Sequence, residues 1–376
     1  MATRLLLTVI AAGSLIAAAP VSGQIIYGQP TSGNIGFTYT SWKLDADTAE
    51  TTVSQFWTPL DGFVPLGENF EGRFWVASAG NKLEAGDIDT DVFGVGDFRA
   101  QVTRSLMNDQ MVAALGLSLP TGKRKLDPSD ERLIIEQLSQ SFLEFPMRRY
   151  GEGFGFSAMI GGANNYGTLS LGGGARYEFI GKYEPYEGVT DYDPGDLFTL
   201  YAGGDVQKEN ALWSLNLMFV TFLKDKLDGA TAFKQGDNFD IQLVARLGSE
   251  ERRFQAVVDY LIRGRNTSYD VENGDIIKQL KLYGNEFLVA LDYTYQWPSR
   301  WYVAPSASVK LIESNEEDEP SQLENSNVFG FGSAIGKRLS DRATLEFGAR
   351  YFLGSADGGN IDLTGLQLSG VLSTSF

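Results

Sequence analysis

The stretch Ala211-Leu212-Trp213-Ser214-Leu215-Asn216-Leu217-Met218-Phe219-Val220-Thr221-Phe222-Leu223 decides the fold. Apolar Ala211, Trp213, Leu215, Leu217, Phe219 and Leu223 stand on odd positions, with Ser214 and Asn216 between them. A repeat of two is the side-chain period of a β-strand; a helix repeats near 3.6 and loses such an alternation quickly. The run is also long. Strands of soluble domains average about five or six residues, whereas a strand crossing a bilayer at a tilt near 45° needs about 9–11.

The same alternation recurs on both sides. It is clear over 239–247, 254–262, 287–297, 301–311, 343–353 and 366–376, and looser over 35–39, 98–102, 154–160 and 169–179. Together with less regular runs this predicts about 16 strands, or 14 if the first two, near 32–43 and 50–59, do not form. Long and short connections take turns. Residues 298–299, 248–252, 207–210 and 106–110 are short links, while 313–327, 263–286, 224–238, 182–196, 120–151 and 80–91 are long ones. Short turns at one end and long loops at the other are expected of a transmembrane antiparallel up-and-down β-barrel; a soluble sandwich has no reason to keep that order. The fold expected is therefore all-β.

Composition removes other classes. The 376 residues include no Cys and no His, so there is no disulfide framework, thiol nucleophile, Ser-His-Asp triad or His-ligated metal. A net charge of −17 argues against nucleic acid, which needs clustered Lys and Arg. No cofactor or metal is called for. Asp87, Asp89 and Asp91, and Asp191, Asp193 and Asp196, offer carboxylates at short spacing but lack the glycine and distant Glu of a calcium loop; they read as solvated loops. The acidic run 316–319 reads as a solvated loop tip. Arg4 precedes an apolar run over 5–19, followed by small Val21-Ser22-Gly23. That pattern predicts a secretory signal over 1–23, with the barrel occupying 24–376. No later stretch is apolar enough for a membrane helix, so any span must be built from strands.

Alternation also sorts the charges. Asp97, Arg99, Arg176, Glu178, Asp240, Arg246, Arg253, Asp259, Arg263, Asp292, Arg342, Glu346 and Arg350 fall opposite the apolar positions and are expected to line the lumen. Each Arg or Lys would cost about 2–4 kcal/mol against the lipid midplane. A wall of this kind either orients a passing solute or simply pairs with itself. Aromatic residues near strand ends, Trp42, Trp57, Tyr177, Tyr293, Trp297 and Trp301 among them, fit the two interfacial girdles of a barrel. Residues 120–151 are the third long loop. Asp127-Pro128-Ser129-Asp130 reads as a helix start, and Ile134, Ile135, Leu138 and Phe142 would share one face. With Lys123, Arg124, Lys125, Asp127, Asp130 and Glu131 the loop carries both charge and an apolar patch, and is expected to fold inward and constrict the pore; the competing reading is a loop packed outside.

The last run ends Thr374-Ser375-Phe376. A final alternating strand with a closing Phe resembles Gram-negative outer-membrane barrels of the porin and transporter type, in which that ending is read by the barrel assembly machinery. Gly94-Val95-Gly96-Asp97, followed by Ala114-Leu115-Gly116-Leu117-Ser118-Leu119-Pro120-Thr121-Gly122, resembles the outer-membrane proteins of meta-pathway phenol degradation. These resemblances imply the bacterial outer membrane, contact with its lipids and lipopolysaccharide, and passive passage of small solutes, aromatic, apolar or anionic. They also allow a homo-oligomer. Two other functions stay open: a structural or adhesive barrel with a closed lumen, and a barrel-embedded hydrolase acting through two close lumen carboxylates.

Overall fold

In the computed structural model the described residues are 30–46, 49–189, 191–249, 251–316 and 323–376; the predicted signal segment and most of the acidic run lie outside them. The chain forms the strands β1 (Ser32–Ala46), β2 (Ala49–Pro65), β3 (Phe70–Ala85), β4 (Ile88–Val95), β5 (Phe98–Leu106), β6 (Met111–Leu119), β7 (Gly155–Tyr166) and β8 (Leu169–Ile180). They continue as β9 (Tyr192–Asp193), β10 (Leu197–Lys208), β11 (Ala211–Phe222), β12 (Lys224–Leu227), β13 (Ala230–Lys234), β14 (Asn238–Gly248) and β15 (Arg252–Arg263). The rest are β16 (Asn266–Tyr269), β17 (Ile276–Leu280), β18 (Glu286–Gln296), β19 (Trp301–Ile312), β20 (Ser326–Ser340), β21 (Ala343–Ala356) and β22 (Ile361–Ser375).

Each long strand pairs antiparallel with the next, and β1 pairs with β22 from Ser32↔Ser375 to Ala46↔Ile361. β4 and β5 both pair with β3 and together make one stave, so the closed barrel has 16 staves. Pairing of β1 with β22 closes the barrel on itself, which is what hydrocarbon demands of a spanning sheet. At the Gly96-Asp97 break the inward parity changes. Val92 and Gly94 are buried on β4, whereas Thr103 and Ser105 are buried on β5, the expected effect of an inserted residue.

The outer face is apolar. Ile35, Phe37, Leu115, Leu117, Ile160, Leu171, Leu200, Leu215, Leu243, Leu291, Phe331 and Leu368 are all exposed on it. Trp213, Phe254, Trp297 and Trp301 stand toward the short turns, and Phe156, Phe179, Phe198 and Phe219 toward the long loops. An apolar band between two aromatic girdles is the exterior of an outer-membrane barrel.

The turn-side connections are short throughout, as the sequence pattern predicts. The other end is more varied. β3 and β4 extend to within two residues of each other, joined at Gly86-Asp87 where a long loop over 80–91 is expected, and a short 3₁₀ turn, Asp357–Gly359, joins β21 to β22. Three longer loops pool their short strands into a second sheet, in the order β17-β16-β13-β12-β9.

Candidate functional site

Residues 120–154 leave the top of β6 and return at β7, and they cross the barrel between. Lys310 on β19 donates to the carbonyl of Ser141 at 2.8 Å and stands 3.7 Å from the Glu144 carboxylate. Counting staves, β19 is eight on from β6, half of 16, so the segment reaches the opposite wall.

Its helix α1 (Asp130–Leu138) is somewhat shorter than the apolar spacing predicts. Asp127 starts it. One carboxylate oxygen accepts from the Ser129 N–H at 2.8 Å and the Asp130 N–H at 3.2 Å, and Glu131 accepts from the Asp127 N–H at 2.8 Å. These bonds satisfy donors that a helix start otherwise leaves open. They also hold the Asp127 carboxyl below its usual range, with the Ser129 hydroxyl and N–H as the main causes. Ile134, Ile135 and Leu138 are buried, and Phe142 follows in a 3₁₀ turn, also buried. They pack with Leu143, Phe145 and Met147 against Trp42, Val53, Leu83, Val92, Val328, Phe352 and Leu363, which come from β1–β4 and β20–β22. Trp42 stacks on Phe352 with centroids 5.1 Å apart. One side of the lumen is therefore filled by an apolar core. Expecting only charge on the inner face misses this. The signal is in β1, where Trp42 and Leu44 sit on the parity opposite to Ile35, Phe37 and Tyr39.

The Gly94-Val95-Gly96-Asp97 and Pro120-Thr121-Gly122 segments dock this plug. Asp97 accepts the Gly122 N–H at 2.8 Å and the Glu152 N–H at 2.7 Å, so one carboxylate clasps both ends of the crossing segment. Thr121 Oγ1 accepts the Phe98 N–H at 2.8 Å. A side chain at Gly94 would meet the Tyr150 ring at 2.6 Å, and one at Gly122 would meet the Tyr150 carbonyl at 2.5 Å. Tyr150 donates to the Val92 carbonyl at 2.9 Å and also bonds Asn81. Gln55 brackets Met147, accepting its N–H at 3.0 Å and donating to its carbonyl at 2.6 Å. Asp97 thus holds the plug rather than standing as a free wall charge.

The other charged positions are spread over the strands and their turns. Arg99 lies over the Trp75 ring. Arg176 pairs with Glu178 at 2.7 Å. Arg246 donates to Gln255 at 2.8 Å, with Arg253 and Asp292 nearby. Asp240 and Asp259 lie against each other on β14 and β15. Glu346 accepts from Tyr302, and Arg350 donates to Ser308 at 2.9 Å. Arg263 pairs with Glu286. Arg342 lies in the turn between β20 and β21, off the lumen wall, because the strand ends at Ser340. On the plug, Lys123 pairs with Glu131, Lys125 lies 3.3 Å from Glu184, and Arg124 borders a small cleft with Arg149 and Tyr183. Asp130 opens α1 and is exposed. Among the described residues no cluster of acidic groups has a metal-holding arrangement. Phe376 follows β22, its N–H donating to the Thr31 carbonyl at 2.8 Å.

No protein-family profile matches the chain, and no curated protein matches its sequence. Solved structures do. An anion-selective porin from Comamonas acidovorans aligns with TM-score 0.41 and 12% identity, over 92% of this chain and 99% of that one. An outer membrane channel from Pseudomonas putida F1 aligns with TM-score 0.40 and 9% identity, over 96% and 100%. A Pseudomonas aeruginosa FadL homologue aligns with TM-score 0.44 and 9% identity, over 92% and 90%. The barrel itself stands on this chain's own strand pairing and apolar exterior.

Proposed function

We propose that the protein is a passive channel of the bacterial outer membrane, with residues 120–151 as its constriction. The observation that carries this reading is the plug bridging the lumen from β6 to Lys310 on β19. The apolar core fills the side bounded by β1–β4 and β20–β22. Passage is left to the side bounded by β7–β18, whose wall carries Arg176, Glu178, Asp240, Arg246, Arg253, Asp259 and Asp292. A barrel of 16–18 strands is wide enough for an aqueous path unless its interior is filled, and here the filling is one-sided. A wall bearing both signs suits small polar or anionic solutes, and the apolar plug beside it suits solutes with a hydrocarbon body.

The test is single-channel recording of the refolded protein in planar bilayers. Discrete, steady current steps are expected. Persistent silence from a barrel shown to be folded would favour a closed structural protein instead. Among the described residues, the Asp240–Asp259 contact is what favours the hydrolase reading. Under the channel reading, Asp240→Asn alters ion selectivity and leaves no hydrolytic activity to lose.

A further inference from the structure

The lipid face of β19 carries a furrow. Its outward residues in the turn-side half are short: Val303, Pro305 and Ala307. Taller side chains stand on both neighbouring strands. Leu291 on β18 and Phe331 on β20 are the register partners of Ala307, and Ile335 on β20 is that of Val303. Tyr293 follows Leu291 on the same face of β18, and all four of these side chains are exposed. Pro305 has no N–H to give, and the β18–β19 ladder lapses between Asp292↔Ser306 and Tyr295↔Val303. Toward the short turns the furrow ends on Trp301, whose carbonyl accepts the Trp297 N–H at 2.8 Å. Trp301 is the register partner of Lys337 on β20, and the Lys337 ammonium lies 4.9 Å from the centroid of its ring. In the turn beside it Arg300 is answered by Asp341 at 3.1 Å. Lys337 has no carboxylate partner among the described residues. Trp rings settle at the level of lipid headgroups, and cations at that level attract anionic lipid.

We infer that the furrow and Lys337 together seat one anionic glycerophospholipid in the leaflet on the short-turn side. One acyl chain lies along Val303, Pro305 and Ala307, and the lipid phosphate meets the Lys337 ammonium. Trp297 and Trp301 sit between the two, at the depth of the ester groups. Charge selects the occupant. A phosphatidylglycerol head brings a net negative charge for Lys337 to answer, whereas a zwitterionic head supplies an ammonium of its own to its phosphate. The seat lies on the outside of the barrel, so it holds whether or not the lumen conducts.

The experiment is native mass spectrometry of the full barrel refolded in detergent and titrated with dioleoylphosphatidylglycerol or, separately, dioleoylphosphatidylethanolamine. Folding of each variant is checked by its heat-dependent gel mobility. A saturably retained copy of phosphatidylglycerol is expected, with phosphatidylethanolamine held more weakly. Lys337→Gln should weaken retention of phosphatidylglycerol about tenfold, as loss of one charge-assisted hydrogen bond predicts, and bring the two lipids level. Ala307→Phe fills the furrow without touching the charge and should weaken both lipids. Arg104→Gln removes another outward cation at the turn end, one that lies over the Phe70 ring, and should change neither. Equal retention of the two lipids by the wild type, or an equal loss in Arg104→Gln, marks an unselective surface and overturns the seat. Unchanged retention in Lys337→Gln or in Ala307→Phe overturns it as well. Should Lys337→Gln not fold, Ala307→Phe decides.

Discussion

Asp97 and Glu152 are joined by a 2.7 Å hydrogen bond from the Glu152 backbone N–H, while the other Asp97 oxygen takes the N–H of Gly122 at 2.8 Å. One side chain in a break of the barrel wall therefore fixes where the plug leaves the wall and where it returns. Asp97→Ala removes both bonds at once. Each charge-assisted bond is worth about 1.5–3 kcal/mol. We expect the variant barrel to stay closed while its plug becomes loose, seen as larger and noisier current and faster proteolysis within 122–152. Current and cleavage indistinguishable from wild type would show that Asp97 does not hold the plug.

The plug's apolar anchor is testable separately. Leu138 is fully buried at the end of α1. Cutting such a side chain back to alanine costs about 2–5 kcal/mol. The loss falls on the plug rather than on the hydrogen-bonded wall. Leu138→Ala should speed proteolysis of the plug while the heat-dependent gel shift of the barrel is retained. A lowered barrel melting temperature with a protected plug would contradict this division.

Deleting 125–142 removes α1 and the apolar patch together. Conductance is expected to rise severalfold, and any preference among solutes of similar size should fall. An unchanged conductance would mean that the plug does not narrow the path.

Charge on the open wall is expected to act on selectivity. Arg246→Gln with Arg253→Gln takes two cations from one turn-side patch that also holds Asp292. The reversal potential under a salt gradient should move toward cation preference, most strongly at low ionic strength, where screening is weak. No movement at low salt would place the ion path elsewhere.

Asp127 predicts a pH dependence. Its carboxyl is held below the ordinary range by bonds that need the ionised form. Its contribution is complete above the unfolded carboxylate range and disappears as pH falls through the depressed folded value. The Asp127 bonds at the start of α1 should thus persist from neutral pH down past the point where ordinary carboxylates protonate, and be lost only in stronger acid. Asp127→Ala should lack those bonds already at neutral pH, read as proteolysis near α1. If acid loosens wild type and Asp127→Ala to the same added extent, the titrating group is another one.

Strands are the most legible part of the chain because lipid and water impose opposite demands on alternate side chains, and β11, β14, β15 and β18 obey both. The inner face is less legible. Lumen positions near the plug answer to the plug and not to water, so Trp42 and Phe352 are apolar where solvent alone would ask for polar groups. Gly94, Gly96 and Asp97 were visible as a motif, but their purpose depends on Tyr150, Met147 and Glu152, which only folding brings to them. Tyr150 carries no periodic signal at all, since it lies in an irregular return arm.

The β1–β22 seam has a kinetic consequence. Its partners are the most distant in the chain, so the wall is sealed only after every other stave is in place, and contacts of such long range are slow to form. Until then the sheet is an open ribbon, with two bare borders and a greasy flank that water would drive into aggregates. Zipping that one seam removes both borders in a single step.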